Sequence, residues 1–176
     1  VILSHFHGDH TGGLIKLRKT YMNSNPKAFS DVYVAEGCVE QRFDENGELR
    51  GFIGGFNKVS DFKKQAEDIG IEFIIINDSY EIAHNLILSG PVERIFERVV
   101  VSPGFYLKEN GLLVEDLLRD DQSLGIKTDK GWYMMSGCGH AGMMNTAHKF
   151  HKIENRDVYG AIGGFHLYRS SDEVIN

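Results

Sequence analysis

Apolar residues along the chain come in short runs that stop at glycine, asparagine or histidine. Val1-Ile2-Leu3-Ser4 is strand-like, and Thr11-Gly12-Gly13 opens a helix with Leu14, Leu17 and Tyr21 at i, i+3 and i+7. Lys16, Arg18 and Lys19 fall on its other faces, and Asn23-Ser24-Asn25-Pro26 ends it. Asp31 to Ala35 alternates like a short strand. From Glu36 to Lys58 the pattern blurs, with a turn signal at Asn46-Gly47 and a pliant stretch at Gly51, Gly54 and Gly55.

Ser60 is placed to cap a helix ending near Ile69, with Gly70 as its stop. Ile71 to Ile76 reads as a strand. Ile82 and Leu86-Ile87-Leu88 form a hairpin around Asn85, which leaves His84 as a hairpin residue. Residues 89–120 carry Pro91, Pro103 and several glycines and are expected to be long and irregular. Ser123 to Thr128 and Trp132 to Ser136 flank Asp129-Lys130-Gly131 as a hairpin. A helix is predicted from Gly142 to Lys152, with Met144, Ala147 and His151 along one face, and then a buried strand from Val158 to Ile162. Met134, Met135, Met143 and Met144 are expected in the core.

Three places repeat one design: an apolar strand, then a turn, then a histidine. They are Leu3-Ser4-His5, Met135-Ser136-Gly137-Cys138-Gly139-His140 and Ile162-Gly163-Gly164-Phe165-His166. Strand C-terminal ends share one rim of a sheet, so these histidines are expected to converge.

The densest cluster is His5-Phe6-His7-Gly8-Asp9-His10. His5 and His7, two apart on extended chain, point the same way. Asp9 and His10 approach from another angle after the bend that Gly8 permits. One tetrahedral ion is poorly wrapped by four such donors. Two divalent cations suit them better, with His5 and His7 on one and Asp9 and His10 on the other. Imidazole suits Zn, Fe and Mn, with Zn the first expectation. A bridging water or hydroxide would then be a nucleophile near neutral pH, and Asp9 is the catalytic candidate.

Composition narrows the classes. Lys and Arg total 19 against 25 Asp and Glu, a net charge of −6, which disfavours a broad nucleic-acid face. No apolar run is long enough for a membrane span. Two cysteines, Cys38 and Cys138, fit a reducing, cytoplasmic setting rather than a disulfide framework. Eight His and 20 Gly are the excess, and the clusters above use them. The chain opens directly on its ligand-rich strand with no basic segment or cleavage site of a signal peptide. The expectation is one domain over residues 1–176 with further sequence before Val1 and beyond Asn176.

Ser4-His5-Phe6-His7-Gly8-Asp9-His10-Thr11-Gly12-Gly13-Leu14 resembles the signature of the metallo-β-lactamase superfamily. Asp120-Asp121-Gln122-Ser123-Leu124, Ser136-Gly137-Cys138-Gly139-His140-Ala141-Gly142 and Gly163-Gly164-Phe165-His166-Leu167 resemble its dihydropteroate-synthase-like branch, as does Gly90-Pro91-Val92-Glu93-Arg94. The resemblance implies an α/β (α+β) αββα sandwich with the metals at the strand edges. It carries the ligand role onto His5, His7, Asp9, His10 and His140, and leaves His166 as a ligand or a substrate contact. It implies a hydrolase-like enzyme, or alternatively a pterin-condensing transferase of the methanopterin-pathway type. A non-catalytic metal- or ligand-binding domain is the third reading. The implied partner is a small molecule, phosphorylated or pterin-like, with the oligomeric state open.

Other residues weigh less. Cys138 is a ligand or packs under its loop, and packing is the preferred reading. His148 and His151 read as a solvated helix face. Asp120 and Asp121 read equally as residues that feed an active site or as a polar turn before a strand, with Asp121 a candidate to orient a ligand histidine. Arg94 and Arg98 read as surface ion-pair partners of Glu93 or Glu97, with phosphate binding the alternative.

Overall fold

The computed structural model describes residues 1–50, 56–96 and 104–167. Gly51, Gly54, Gly55, Glu97, Arg98 and Pro103 lie outside them. The chain builds two α/β halves, each with its own sheet, helical cover and core. The first half opens with a single turn, α1 (Gly8–Thr11), and α2 (Leu14–Tyr21). Its strands β1 (Asp31–Ala35) and β2 (Glu72–Ile76) pair in parallel from Asp31↔Glu72 to Ala35↔Ile76. Parallel strands need a crossover, and α3 (Val59–Asp68) supplies it. The opening run joins this sheet: Ile2 bridges Tyr33, and the Leu3 amide donates to the Tyr33 carbonyl at 3.0 Å. Leu14, Ile15, Val32, Val34, Phe62 and Ala66 close the core.

Two expectations fail in this half. The inner face of α2 is Leu14, Ile15 and Arg18, while Leu17 and Tyr21 are 41% and 47% exposed. Arg18 goes in because its guanidinium donates to the carbonyls of Ile69, Pro26 and Ala28 at 3.0, 2.7 and 2.8 Å. It ties three chain segments together, a role that apolar periodicity cannot register. Ser60 lies inside α3 rather than capping it, for the N-cap is Lys58. The Val59 amide is satisfied from afar, donating to Gln41 Oε1 at 3.0 Å.

Between the halves β5 (Tyr106–Glu109) and β6 (Leu112–Glu115) form a hairpin inside the stretch expected to be irregular. Its Asn110-Gly111 turn has φ of 50° and 82°, the left-handed pair that two-residue hairpin loops favour. The second half is a five-stranded sheet with β3 (Tyr80–Ala83), β4 (Leu86–Leu88), β7 (Ser123–Thr128), β8 (Gly131–Ser136) and β9 (Val158–Gly163) in the order β3-β4-β7-β8-β9. Only β8 and β9 are parallel, and α4 (Met143–Glu154) crosses between them. Ile87, Trp132, Met134 and Phe150 pack its core.

Here β9 is an edge strand and not buried, with Tyr159 60% and Ile162 53% exposed. Of the four methionines expected in the core only Met134 is buried there. Met135 alternates to the other face of β8, and α4 turns Asn145, Thr146 and Phe150 inward rather than Met143 or Met144. Among the described residues no helix is long and apolar enough to cross a membrane.

Candidate metal centre

The three strand-end segments meet at the seam between the halves. His5 follows the opening run, His140 follows β8 and His166 follows β9. The His5 ring centroid lies 4.5 Å from His7, 4.3 Å from His10 and 4.7 Å from His140. His166 extends the group, 4.4 Å from His140. His5 Nε2 and His7 Nδ1 are 2.9 Å apart, and Asp9 Oδ2 lies 3.5 Å from His10 Nε2. All six residues singled out from the sequence are therefore together, with Asp9 the outermost at 76% exposure.

Cys138 stands between two donor groups. Its Sγ is 3.2 Å from His10 Nε2. His5, Cys138 and His140 form one set, and Asp9, His10 and Cys138 another, with the donor atoms of each set within 4.8 Å of one another. Cys138 is half-buried, whereas Cys38 is the cysteine that packs, at 2% exposure in the first core.

Burial sets the electrostatics. It holds His5 down at about 2, helped by the charges His7, His140 and His10 would carry. It holds His7 at about 4 against an opposing pull from Asp9, and His140 at about 3 with His7 and His166 adding to it. These imidazoles are neutral at pH 7, the form that binds metal. Among the described residues neither ring nitrogen of His140 has a hydrogen-bond partner, although the residue is fully buried. Such a group is costly unless something accepts its lone pair. Clustered neutral imidazoles, a carboxylate and a thiol are the donors divalent transition metals take, so the residues fit the metal that the sequence suggests.

The support beneath the cluster is largely polar and buried. Ser4 Oγ lies 3.0 Å from His5 Nδ1, and Asp121 Oδ1 lies 4.0 Å from the same nitrogen. Asp121 Oδ2 accepts the Ala141 amide at 2.7 Å, fixing the residue beside His140. Burial pushes the Asp121 carboxyl up to about 7, with that amide and Arg94 pulling back. Asp120 accepts the Phe6 amide, and Arg42 donates to Asp120 and Asp116 at 2.9 and 2.8 Å. Arg42 is 2% exposed and lies 3.7 Å over the Phe6 ring. Burial raises Asp120 to about 6 against the pull of Arg42.

Gly137 and Gly163 allow the loops to close on one another. A Cβ at Gly137 would sit 2.1 Å from Ser4 Oγ. Gly163 has a φ of +129°, and a Cβ there would lie 1.9 Å from the Ser136 carbonyl oxygen. The Gly164 amide then donates to the Gly137 carbonyl at 3.0 Å, locking the His140 loop to the His166 loop.

Asp120 and Asp121 do lie at the turn before β7, where the Asp121 amide donates to the Leu118 carbonyl at 3.1 Å, and both carboxylates are buried. Among the described residues Arg94 forms no ion pair. Its guanidinium donates to the carbonyls of Val92, Leu117 and Leu118. His151 pairs with Asp157 at 3.1 Å and His148 packs on Phe96, both away from the cluster. Arg42 and Asp116 had no signal in the sequence, since each falls in a stretch whose pattern is blurred or irregular.

No protein-family model matches the chain. It is 32% identical over 180 residues to the 7,8-dihydropterin-6-methyl-4-(beta-D-ribofuranosyl)-aminobenzene-5'-phosphate synthase of Methanocaldococcus jannaschii, covering 99% of this chain and 58% of that protein. An uncharacterised protein of the same organism is 28% identical, covering all of this chain and 60% of the relative. Among solved structures, Tm1679, a metal-dependent hydrolase of the beta-lactamase superfamily, superposes with a TM-score of 0.73 at 27% identity, over 99% of this chain and 60% of that one. The chain spans less than two thirds of the length of each of these relatives. With its two helix-covered halves and a histidine cluster at their seam, the chain has the mixed α/β metallo-β-lactamase fold.

Proposed function

We propose that this chain carries the centre of a metal-dependent, hydrolase-like enzyme that holds two divalent cations, zinc first, with manganese or iron as alternatives. The observation that carries the reading is His140, fully buried with both ring nitrogens unpartnered among the described residues, beside the rings of His5, His7 and His166. Cations bound there would supply water activation near neutral pH and charge neutralisation on a substrate oxygen. His5, His7 and His140 present neutral imidazole lone pairs, and His10 and Asp9 present the second donor group. Asp9, on the exposed side, is the carboxylate nearest an incoming substrate. Asp121 and Ser4 orient His5. The substrate is a small molecule, with a phosphorylated one in keeping with the named relative.

A second reading, pterin condensation, is favoured by the 32% identity to a protein named as a synthase, against 27% to the one named as a hydrolase. Metal analysis of purified wild type and His7→Ala tests the shared premise: about two equivalents in the first and fewer in the second are expected. No bound metal in either sinks it. Metal-dependent turnover in a phosphodiester and thioester screen supports hydrolysis. Product from a dihydropterin pyrophosphate and an arylamine supports condensation instead.

A further inference from the structure

We propose that the Cys138 thiolate is itself a metal ligand, placed to be shared between the two donor groups. The inference rests on the metal-centre reading above and adds a donor that histidines and carboxylates do not supply. Cys138 is the residue common to both sets, His5–Cys138–His140 and Asp9–His10–Cys138. Independent support comes from His140, buried with both ring nitrogens unpartnered among the described residues and belonging to one of those sets.

The backbone holds the thiol in place. Residue 137 is pressed against Ser4, and its carbonyl accepts the Gly164 amide. On the other side of Cys138, Gly139 has a φ of +67°, and a Cβ there would meet the Gly164 carbonyl at 2.6 Å. The Gly142 amide donates to the Gly139 carbonyl at 3.0 Å. A cysteine kept only to fill space would resemble Cys38, which is in the apolar core. Cys138 instead lies outside both core clusters and points its sulfur at His10.

A soft sulfur donor selects among metals. Thiolate favours Zn, Co and Fe over Mn and Mg, whereas carboxylate and imidazole alone tolerate Mn. Binding converts S–H to S–metal and releases the proton to solvent. Cys138→Ser should therefore weaken zinc binding while leaving manganese binding little changed.

The test is cobalt substitution of the full chain. Wild type loaded with Co(II) is expected to show visible d–d bands and a near-ultraviolet thiolate-to-cobalt charge-transfer band. Cys38→Ser should keep both, and Cys138→Ser should keep the d–d bands and lose the charge-transfer band. Cobalt bound with d–d bands but no charge-transfer band in wild type overturns the proposal and leaves the metal-centre reading intact. So does a charge-transfer band that survives Cys138→Ser. Failure of wild type to bind cobalt or zinc overturns both. If Cys138→Ser does not fold, wild type decides alone: zinc should slow alkylation of Cys138 by iodoacetamide about tenfold or more. An unchanged alkylation rate on zinc-loaded protein overturns the assignment.

Discussion

The Phe6 amide donates to Asp120 Oδ2 at 2.9 Å across 114 residues of chain. The other oxygen of Asp120 accepts Arg42, whose guanidinium lies 3.7 Å over the ring of the same Phe6. The residue between His5 and His7 is thus gripped at its amide and at its ring by one buried ion network. Imidazoles on a short extended segment would otherwise rotate with it, so this grip gives the donors a fixed direction.

Removing Asp120 exposes the cost of that network. Asp120→Ala leaves Arg42 with one carboxylate partner, Asp116, and the Phe6 amide with none, both buried. A loss of roughly 3–5 kcal/mol is expected. Asp120→Asn keeps an acceptor for the amide and should lose about 1–3 kcal/mol. Urea unfolding of the metal-free chain measures both. Equal losses for the two variants would show that the shape and acceptor retained by asparagine contribute nothing and that the charge carries the whole effect.

Asp121 stands between His5, a candidate ligand, and the loop that carries His140. Its Oδ1 faces His5 Nδ1 at 4.0 Å, and its Oδ2 holds the Ala141 amide. Asp121→Asn retains an oxygen for the amide but loses the charge that favours one orientation of the imidazole. Zinc affinity should fall about 10- to 100-fold with stoichiometry unchanged. Chelator competition reads this directly. A change of affinity under twofold would remove Asp121 from the metal support.

Gly137→Ala tests the closeness of the two loops. The new methyl would meet Ser4 Oγ at 2.1 Å and Ser4 Cβ at 2.6 Å, so one of the loops must move. A loss of about 1–3 kcal/mol is expected, with weaker metal binding alongside. Ser4→Gly removes both clashing atoms, and the double variant should recover most of the stability. Additive losses in the double variant would mean that these residues do not meet.

The motif-bearing segments were legible in the sequence because each couples two signals, an apolar strand and a histidine just past its end. His140 and His166 share the rim of β8 and β9, while His5 reaches them from the run that joins the other sheet. The hairpins around Asn85 and Asp129 were legible from turn chemistry, whereas the β5–β6 hairpin lies in the stretch read as irregular. What periodicity could not express was the work of buried charge. Arg18 displaces Leu17 and Tyr21 from the inner face of α2 because three carbonyls need its donors. Arg42, Asp116 and Asp120 are brought together from 42, 116 and 120 along the chain, and no local pattern encodes such a meeting. Ser60 fails as a cap because Gln41 already serves the end of α3.

The acid response of the metal-free chain follows from two opposed sets of shifts. His5, His7 and His140 fall from an ordinary 6.5 to about 2, 4 and 3 on folding. Lowered values favour the deprotonated form, so their contribution is full above pH 6.5 and is lost as the pH falls toward the folded values. Asp120 and Asp121 rise from 3.8 to about 6 and 7. Their contribution has the opposite sign, full below pH 3.8 and lost as the pH rises through 6 and 7. Between pH 4 and 6.5, unfolding therefore takes up about three protons on histidine and releases about two from aspartate. The net is about one, and stability should decline gently on acidification, of order 1 kcal/mol per pH unit. Below pH 4 the aspartates are protonated in both states and no longer compensate, so the decline should steepen. Asp121→Asn removes one compensating group and should steepen the slope between pH 4 and 6.5 as well. Urea midpoints of the chelator-treated protein at several pH values check this. Stability that rises steadily from pH 6.5 to pH 3.5 would show that the histidines are not held neutral by the fold.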